Sequence, residues 1–173
     1  MGAASAALAP SGAGAVQVVW HSEEDTRAFA ARLARRPALA DAFIALHGDL
    51  GAGKTTLVRH LLRALGVRGR IRSPTYALVE TYELGGPGEA DAGQAWHCDL
   101  YRFADPREWV DAGLRDVFAA PGLKLVEWPE RAGGLLPPAD LRVELEAEDD
   151  GRRRVTVHAH SPRGQSLLAA LAS

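Results

Sequence analysis

The sequence predicts an α/β domain of three layers, built around a mixed, mainly parallel central sheet with β-hairpins. Three observations predict it. A short apolar run, Ala42-Phe43-Ile44-Ala45-Leu46, leads through a glycine-rich loop into a helical stripe of Leu57, Val58, Leu61, Leu62 and Leu65, the order of a parallel βα unit. A second apolar run, Leu123-Lys124-Leu125-Val126, is short enough to be another buried strand. Alternating runs on either side of Asp150-Gly151 read as a hairpin, which brings antiparallel pairing into the same sheet.

Taken in order, residues 1–15 are small and featureless and are expected to form a disordered Ala/Gly-rich tail ahead of a single domain over 16–173. The tail has neither a basic start nor a long apolar core, so no secretory signal is expected, and Ala6 stands where a myristoylation motif wants Ser or Thr. Val16 to Trp20 alternates as a first strand. Ser22 is placed as an N-cap, with Glu23, Glu24 and Asp25 in the first turn where the helix dipole favours acids. Phe29 and Leu33 share a face, and the helix is expected to end before Pro37. After the second helix stops at Gly66, a basic segment carries Ser73-Pro74, which disfavours helix at Ser73. Ala77 to Leu84 and Gln94 to Tyr101 read as strands joined by the loop GGPGEADAG. Asp105-Pro106 opens a short helix to about Val110, and Gly113 to Phe118 forms another turn or two. Leu141 to Leu145 and Val155 to Ala159 are the hairpin strands, and a helix from about Pro162 to Leu171 closes the domain.

Composition narrows the function. The 173 residues carry a net charge of −2, so no global basic field supports autonomous nucleic-acid binding. The single Cys98 excludes an intrachain disulfide and suits a reducing cytoplasm. No apolar run approaches the length of a membrane span, so no membrane partner is expected.

The chemistry concentrates at Gly48-Asp49-Leu50-Gly51-Ala52-Gly53-Lys54-Thr55-Thr56, which matches G-x-x-x-x-G-K-[ST] between a strand and a helix. Glycines let successive backbone N–H groups turn inward on phosphate oxygens, and the helix start adds its own unpaired donors. Lys54 reaches the terminal phosphates and the Thr55 hydroxyl ligates Mg²⁺ in such a site. The domain is therefore P-loop NTPase-like, and a bound nucleoside triphosphate is expected. A reaction needs further acids. Asp99, near the end of one strand-like run, and Glu127, where Leu123–Val126 runs out, are placed to face the phosphates beyond the carboxyl ends of the strands. Trp128 offers a flat face for a purine. Ser73-Pro74-Thr75-Tyr76 lies where P-loop proteins keep a loop sensitive to the γ-phosphate, though a plain turn explains it equally well. His21, His47, His60 and His97 show no metal-ligand spacing, His158 and His160 share only a strand face, and Arg152-Arg153-Arg154 reads as the solvated side of the hairpin. No Asn-Lys-x-Asp or Leu-Ser-Gly-Gly segment is present, and no arginine-rich lid is evident.

Together, GDLGAGKTT, SPTY followed by LVETY, HCDLYR and LVEWPER resemble the bacterial TsaE (YjeE) family over about Val16 to Leu145, in the same order and with similar spacing. The Ala/Gly tail and the GGPGEADAG loop depart from that pattern without touching a motif. The resemblance implies an ATPase with ATP and Mg²⁺ as cofactors, weak alone, that serves threonylcarbamoyladenosine (t6A) modification of tRNA. Its partners would be TsaB and TsaD homologues, with TsaD performing the transfer and holding the tRNA, so that tRNA is met only indirectly. It further implies that Lys54 and Thr55 hold phosphates and Mg²⁺, that Glu127 serves the metal, and that Asp99 is a second essential acid. Thr26 and Trp128 would lie near the nucleotide, Trp128 by the base, and the SPTY loop would act as a switch. A small-molecule kinase predicts an acceptor pocket and lid arginines, which the sequence does not display. A module working by nucleotide occupancy alone predicts that amide variants of Asp99 and Glu127 remain functional.

Overall fold

A computed structural model describes residues 9–10, 14–74, 77–85 and 93–172. The elements in chain order are β1 (Ala9–Pro10), β2 (Ala15–Trp20), α1 (Glu23–Ala34), β3 (Phe43–His47), α2 (Lys54–Ala64), β4 (Val79–Glu83), β5 (Gln94–Asp99), α3 (Pro106–Asp111), α4 (Leu114–Ala119), β6 (Leu123–Glu127), β7 (Leu141–Ala147), β8 (Arg153–Ala159) and α5 (Pro162–Ala172). Short 3-10 segments occupy Pro37–Asp41 and Pro129–Leu135.

Among the described residues the strands form one eight-stranded sheet in the order β1-β2-β8-β7-β3-β6-β5-β4. The central block β7-β3-β6-β5 is parallel, and the pairings outside it are antiparallel. Parallel strands covered on both faces must be apolar throughout, which is why β3 and β6 are almost unbroken runs of buried residues. On one face α1, α2 and α5 pack through Phe29, Leu33, Leu57, Leu61, Leu62 and Leu167 onto Ile44, Leu46, Leu125, Val143 and Val157. On the other, a smaller cluster of Phe43, Ala45, Cys98, Val126, Trp109 and Leu114 lies beneath α3 and α4. Burial there pushes the Cys98 thiol up to about 12, so it is a packing residue and not a nucleophile.

Local signals hold at the element ends. The Asp25 carboxylate accepts the backbone N–H of His21 at 2.7 Å and of Ser22 at 3.2 Å, which closes the start of α1. Asp105 does the same for α3 by accepting from the Arg107 N–H at 2.9 Å. The expectation of a wholly disordered tail is corrected in part. Ala9 and Pro10 pair with Gln17 and Val16, because the outer edge of β2 otherwise leaves backbone donors and acceptors unpaired, and an edge strand tolerates proline. Residues 1–8 and 11–13 lie outside the described residues, as do 86–92 of the GGPGEADAG loop. The flanks of that loop close on each other, Leu84 N–H donating to the Gly93 carbonyl at 2.9 Å. Among the described residues no helix is long and apolar enough to cross a membrane.

Candidate functional site

The glycine-rich loop leaves the carboxyl end of β3 and returns into α2, whose first residue is Lys54. Its path depends on glycine at Gly48, where φ is +146° and a Cβ would stand 2.4 Å from the Leu145 carbonyl oxygen. Gly53, at φ +106°, makes the turn directly into the helix.

Register lines up the acids. Leu46 of β3 pairs with Glu127 of β6, and Glu127 pairs with Asp99 of β5, so both carboxylates lie at the same end of the parallel block as the loop. The Thr55 hydroxyl meets Glu127 at 2.8 Å (Oε1) and 3.1 Å (Oε2). Ser73 Oγ approaches Thr55 Oγ1 at 3.4 Å, which ties the start of the SPTY loop to the same group. Pro74 is buried beside it, and Thr75 and Tyr76 lie outside the described residues. Glu127 is 2 % exposed, and the His97 imidazole, fully buried, sits 2.6 Å from its other side.

Lys54 is itself buried, at 4 % exposure. Its ammonium donates to the Gly48 carbonyl and, at 2.9 Å, to that of Asp49. Burial holds its pKa below the usual lysine value, against the pull of the Glu127, Glu130, Asp99 and Asp49 carboxylates. The Trp128 ring covers it, with Nζ 4.2 Å from the ring centroid. The ring lies at the lysine end of the loop, against Tyr101 at 5.0 Å. The reason is local. Trp128 adopts φ +56° directly after β6, which turns its side chain back across the strand end.

These groups enclose a cavity of about 250 Å³ lined by Lys54, Thr55, Asp99, Tyr101, Glu127 and Trp128. A second, of about 170 Å³, opens on the other side of the loop between Trp20, Thr26, Gly53, Thr56 and Arg153. Thr26 is buried in α1 and Thr56 lines both spaces. Asp49 and Leu50 form the exposed tip of the loop, Leu50 at 67 % exposure, while Ala52 is buried beneath it.

Arg153 was hidden in its own run. Arg152 and Arg154 are surface residues paired with Glu148, Asp150 and Glu146, as the solvated-hairpin reading expects. Arg153, between them, points the other way, its Nε donating to the Ala52 carbonyl at 3.1 Å. Strand alternation explains this, and parity along β8 was the available signal. His97 likewise shows no ligand spacing in the sequence and becomes visible only when β5 is set beside β6. His47 pairs with Glu130 at 3.2 Å outside the cavity, and His60 with Glu23 at 2.8 Å.

The arrangement suits a nucleoside triphosphate with Mg²⁺. A hydroxyl and a buried carboxylate converge at the helix start, and no group of three or more His, Cys, Asp or Glu side chains that could hold a metal exists among the described residues. That donor set fits an ion that takes few protein ligands and completes its shell with phosphate and water. Asp99 is half-buried, and burial first, then the Glu127 charge, raises its pKa above the ordinary carboxylate value. The folded protein thus holds the Asp99 proton more tightly than the unfolded chain, so this group makes stability fall as pH rises from the ordinary carboxylate range through its raised value. Asp99→Asn is expected to raise the melting temperature of the ligand-free protein at pH 7, with the gain shrinking towards pH 4. Thermal melts across that range check it.

The family described as "Threonylcarbamoyl adenosine biosynthesis protein TsaE" matches residues 20–155. The chain is similar to the tRNA threonylcarbamoyladenosine biosynthesis protein TsaE of Haemophilus influenzae, 41 % identical over 128 residues, 74 % of this chain and 77 % of that protein. It is similar to the protein of the same name from Bacillus subtilis, 32 % identical over 157 residues, 90 % of this chain and 94 % of that protein. The crystal structure of Bacillus subtilis YdiB superposes with a TM-score of 0.71 at 28 % identity, covering 94 % of this chain and 97 % of the other.

Proposed function

This chain belongs to the TsaE family of threonylcarbamoyl adenosine biosynthesis proteins, and from that premise we propose that it is a cytoplasmic, Mg²⁺-dependent ATPase that supports t6A formation on tRNA through TsaB and TsaD homologues. The observation that carries this reading is the clasp of Thr55 by Glu127 at 2.8 Å, at the first turn of α2 and directly beside the P-loop lysine.

Each residue then has a task. Backbone donors of Gly51 to Thr56 cradle the phosphates, aided by the positive end of α2. Lys54 exchanges its two loop carbonyls for phosphate oxygens and leaves the cover of Trp128. Thr55 and Glu127 would hold the cation, which would supply positive charge to offset the charge that develops on the phosphates. Asp99, across the 250 Å³ cavity from Lys54, orients the attacking water. Thr26, Thr56 and Arg153 line the second cavity, which suits the ribose and base. Ser73 links the SPTY loop to Thr55, so occupancy of the phosphate site is communicated to a loop that a partner can contact. The tRNA contact then falls to the partner, in keeping with the net charge of −2.

The test is release of free phosphate from ATP with Mg²⁺ or with chelator, together with t6A formation in an assembly reconstituted with TsaB and TsaD homologues. Chelator-insensitive release, or t6A formation that proceeds equally without this protein, would overturn the reading. Phosphate passed to a metabolite instead of water would replace it with a kinase. Arg153→Ala is expected to weaken nucleotide binding by about 1.5–3 kcal/mol, the scale of a hydrogen bond to a charged group. Calorimetric titration with ADP checks it.

A further inference from the structure

We infer that His97 is a positioning residue of this site: its imidazole holds the Glu127 carboxylate in the orientation that meets Thr55 and takes the cation. The inference rests on the magnesium reading above and adds a residue to it.

The geometry is specific. His97 and Asp99 share one face of β5, the face turned towards α2, and the register of β5 on β6 sets Asp99 opposite Glu127. From there Nε2 of His97 lies 2.6 Å from Glu127 Oε2, while Thr55 Oγ1 stands 2.8 Å from Oε1. A threonine hydroxyl has a single proton to give. Alone it fixes one carboxylate oxygen and leaves the group free to swing about its last bond. The imidazole supplies the second donor, on the second oxygen, and the carboxylate is held at both ends.

The burial of His97 is costly without such a role. The ring is fully buried, and Ala95 before it on the same strand face and Leu125 opposite it in register are apolar and buried. Its Nδ1 has no hydrogen-bond partner among the described atoms. The carboxylate assigns the tautomer: Glu127 Oε2 is an acceptor, so the proton is placed on Nε2 and the donor points at the carboxylate. Outer partners of this kind, hydrogen-bonded to a metal-binding side chain, set the orientation of the ligand and through it metal affinity.

His97→Gln and His97→Asn separate this from packing. Both are polar and smaller than the ring, but the glutamine amide nitrogen reaches about as far as Nε2, whereas that of asparagine stops near Nδ1. ADP binding is titrated by calorimetry at graded Mg²⁺ and again in chelator, with circular dichroism confirming folded protein. His97→Asn is expected to raise half-saturating Mg²⁺ by roughly ten- to a hundredfold, with ADP affinity in chelator unchanged. His97→Gln is expected to stay within about threefold of wild type, well short of the loss that follows removal of an outer partner. Wild-type Mg²⁺ dependence in His97→Asn, or equal loss in both variants, overturns the inference. Nucleotide binding by the wild type that ignores Mg²⁺ altogether overturns the magnesium reading, and this inference with it.

Discussion

Lys54→Ala is expected to lower ATP hydrolysis by roughly 10²–10³-fold, the cost of removing one preorganised donor from a developing anion, or about 3–4 kcal/mol. It should abolish t6A formation by the reconstituted assembly to the same degree. The fold itself should not suffer. In the ligand-free protein Lys54 is 4 % exposed and its ammonium is satisfied by two loop carbonyls, one of them at 2.9 Å. Burial works against its charge, as its lowered pKa records. Replacing it with alanine removes a desolvated cation along with its contacts, so the ligand-free melting temperature is expected to hold while phosphate binding is lost. Phosphate-release kinetics and a thermal melt on the same preparation separate the two effects. Hydrolysis and t6A formation at wild-type levels would remove Lys54, and with it the P-loop, from the mechanism.

Gly48→Ala is expected to damage both fold and site, whereas Gly51→Ala should leave the fold close to intact. At Gly48 a side chain meets a positive φ of +146° and a backbone oxygen at 2.4 Å, and carbonyls in a sheet do not give way as a side-chain tip would. Backbone strain of about 1–3 kcal/mol and overpacking of about 1–3 kcal/mol combine there. At roughly 2–4 °C per kcal/mol for a chain of this size, a fall of at least about 5 °C in Tm follows, with weakened nucleotide binding because β3 and the loop must part from β7. At Gly51, φ is +78° but the added Cβ finds nothing within 4 Å, so only the left-handed cost of about 1–2 kcal/mol applies. Equal melting temperatures for the two variants would refute this account of the loop.

Much of this is legible in the sequence because the signals are short-range. The strand, loop and helix from Phe43 to Ala64 form from neighbouring residues, and the caps at Ser22 and Asp105 act within one turn. Glu127 could be singled out because an apolar strand turned acidic at its tip. The seat of Trp128 is not legible in the same way: its type offers a flat face, but a positive φ directly after β6 sets the ring over Lys54, and no residue pattern announces that dihedral.

The phosphate loop, the order of the elements and the candidate acids can be read from residue order alone, since each depends on chain neighbours or on a two- or nearly four-residue period. Which side chains meet depends on how the strands are laid side by side. Thr55 and Glu127 are 72 positions apart, His97 and Glu127 are 30, and Ala52 and Arg153 are 101. Those meetings follow from strand order and register, which arise when a sheet buries both faces at once. A local pattern carries no record of which strand will lie beside it. His97 therefore passed as a stray histidine and Arg153 as a solvated one, until β5 was laid against β6 and β8 folded back over the loop.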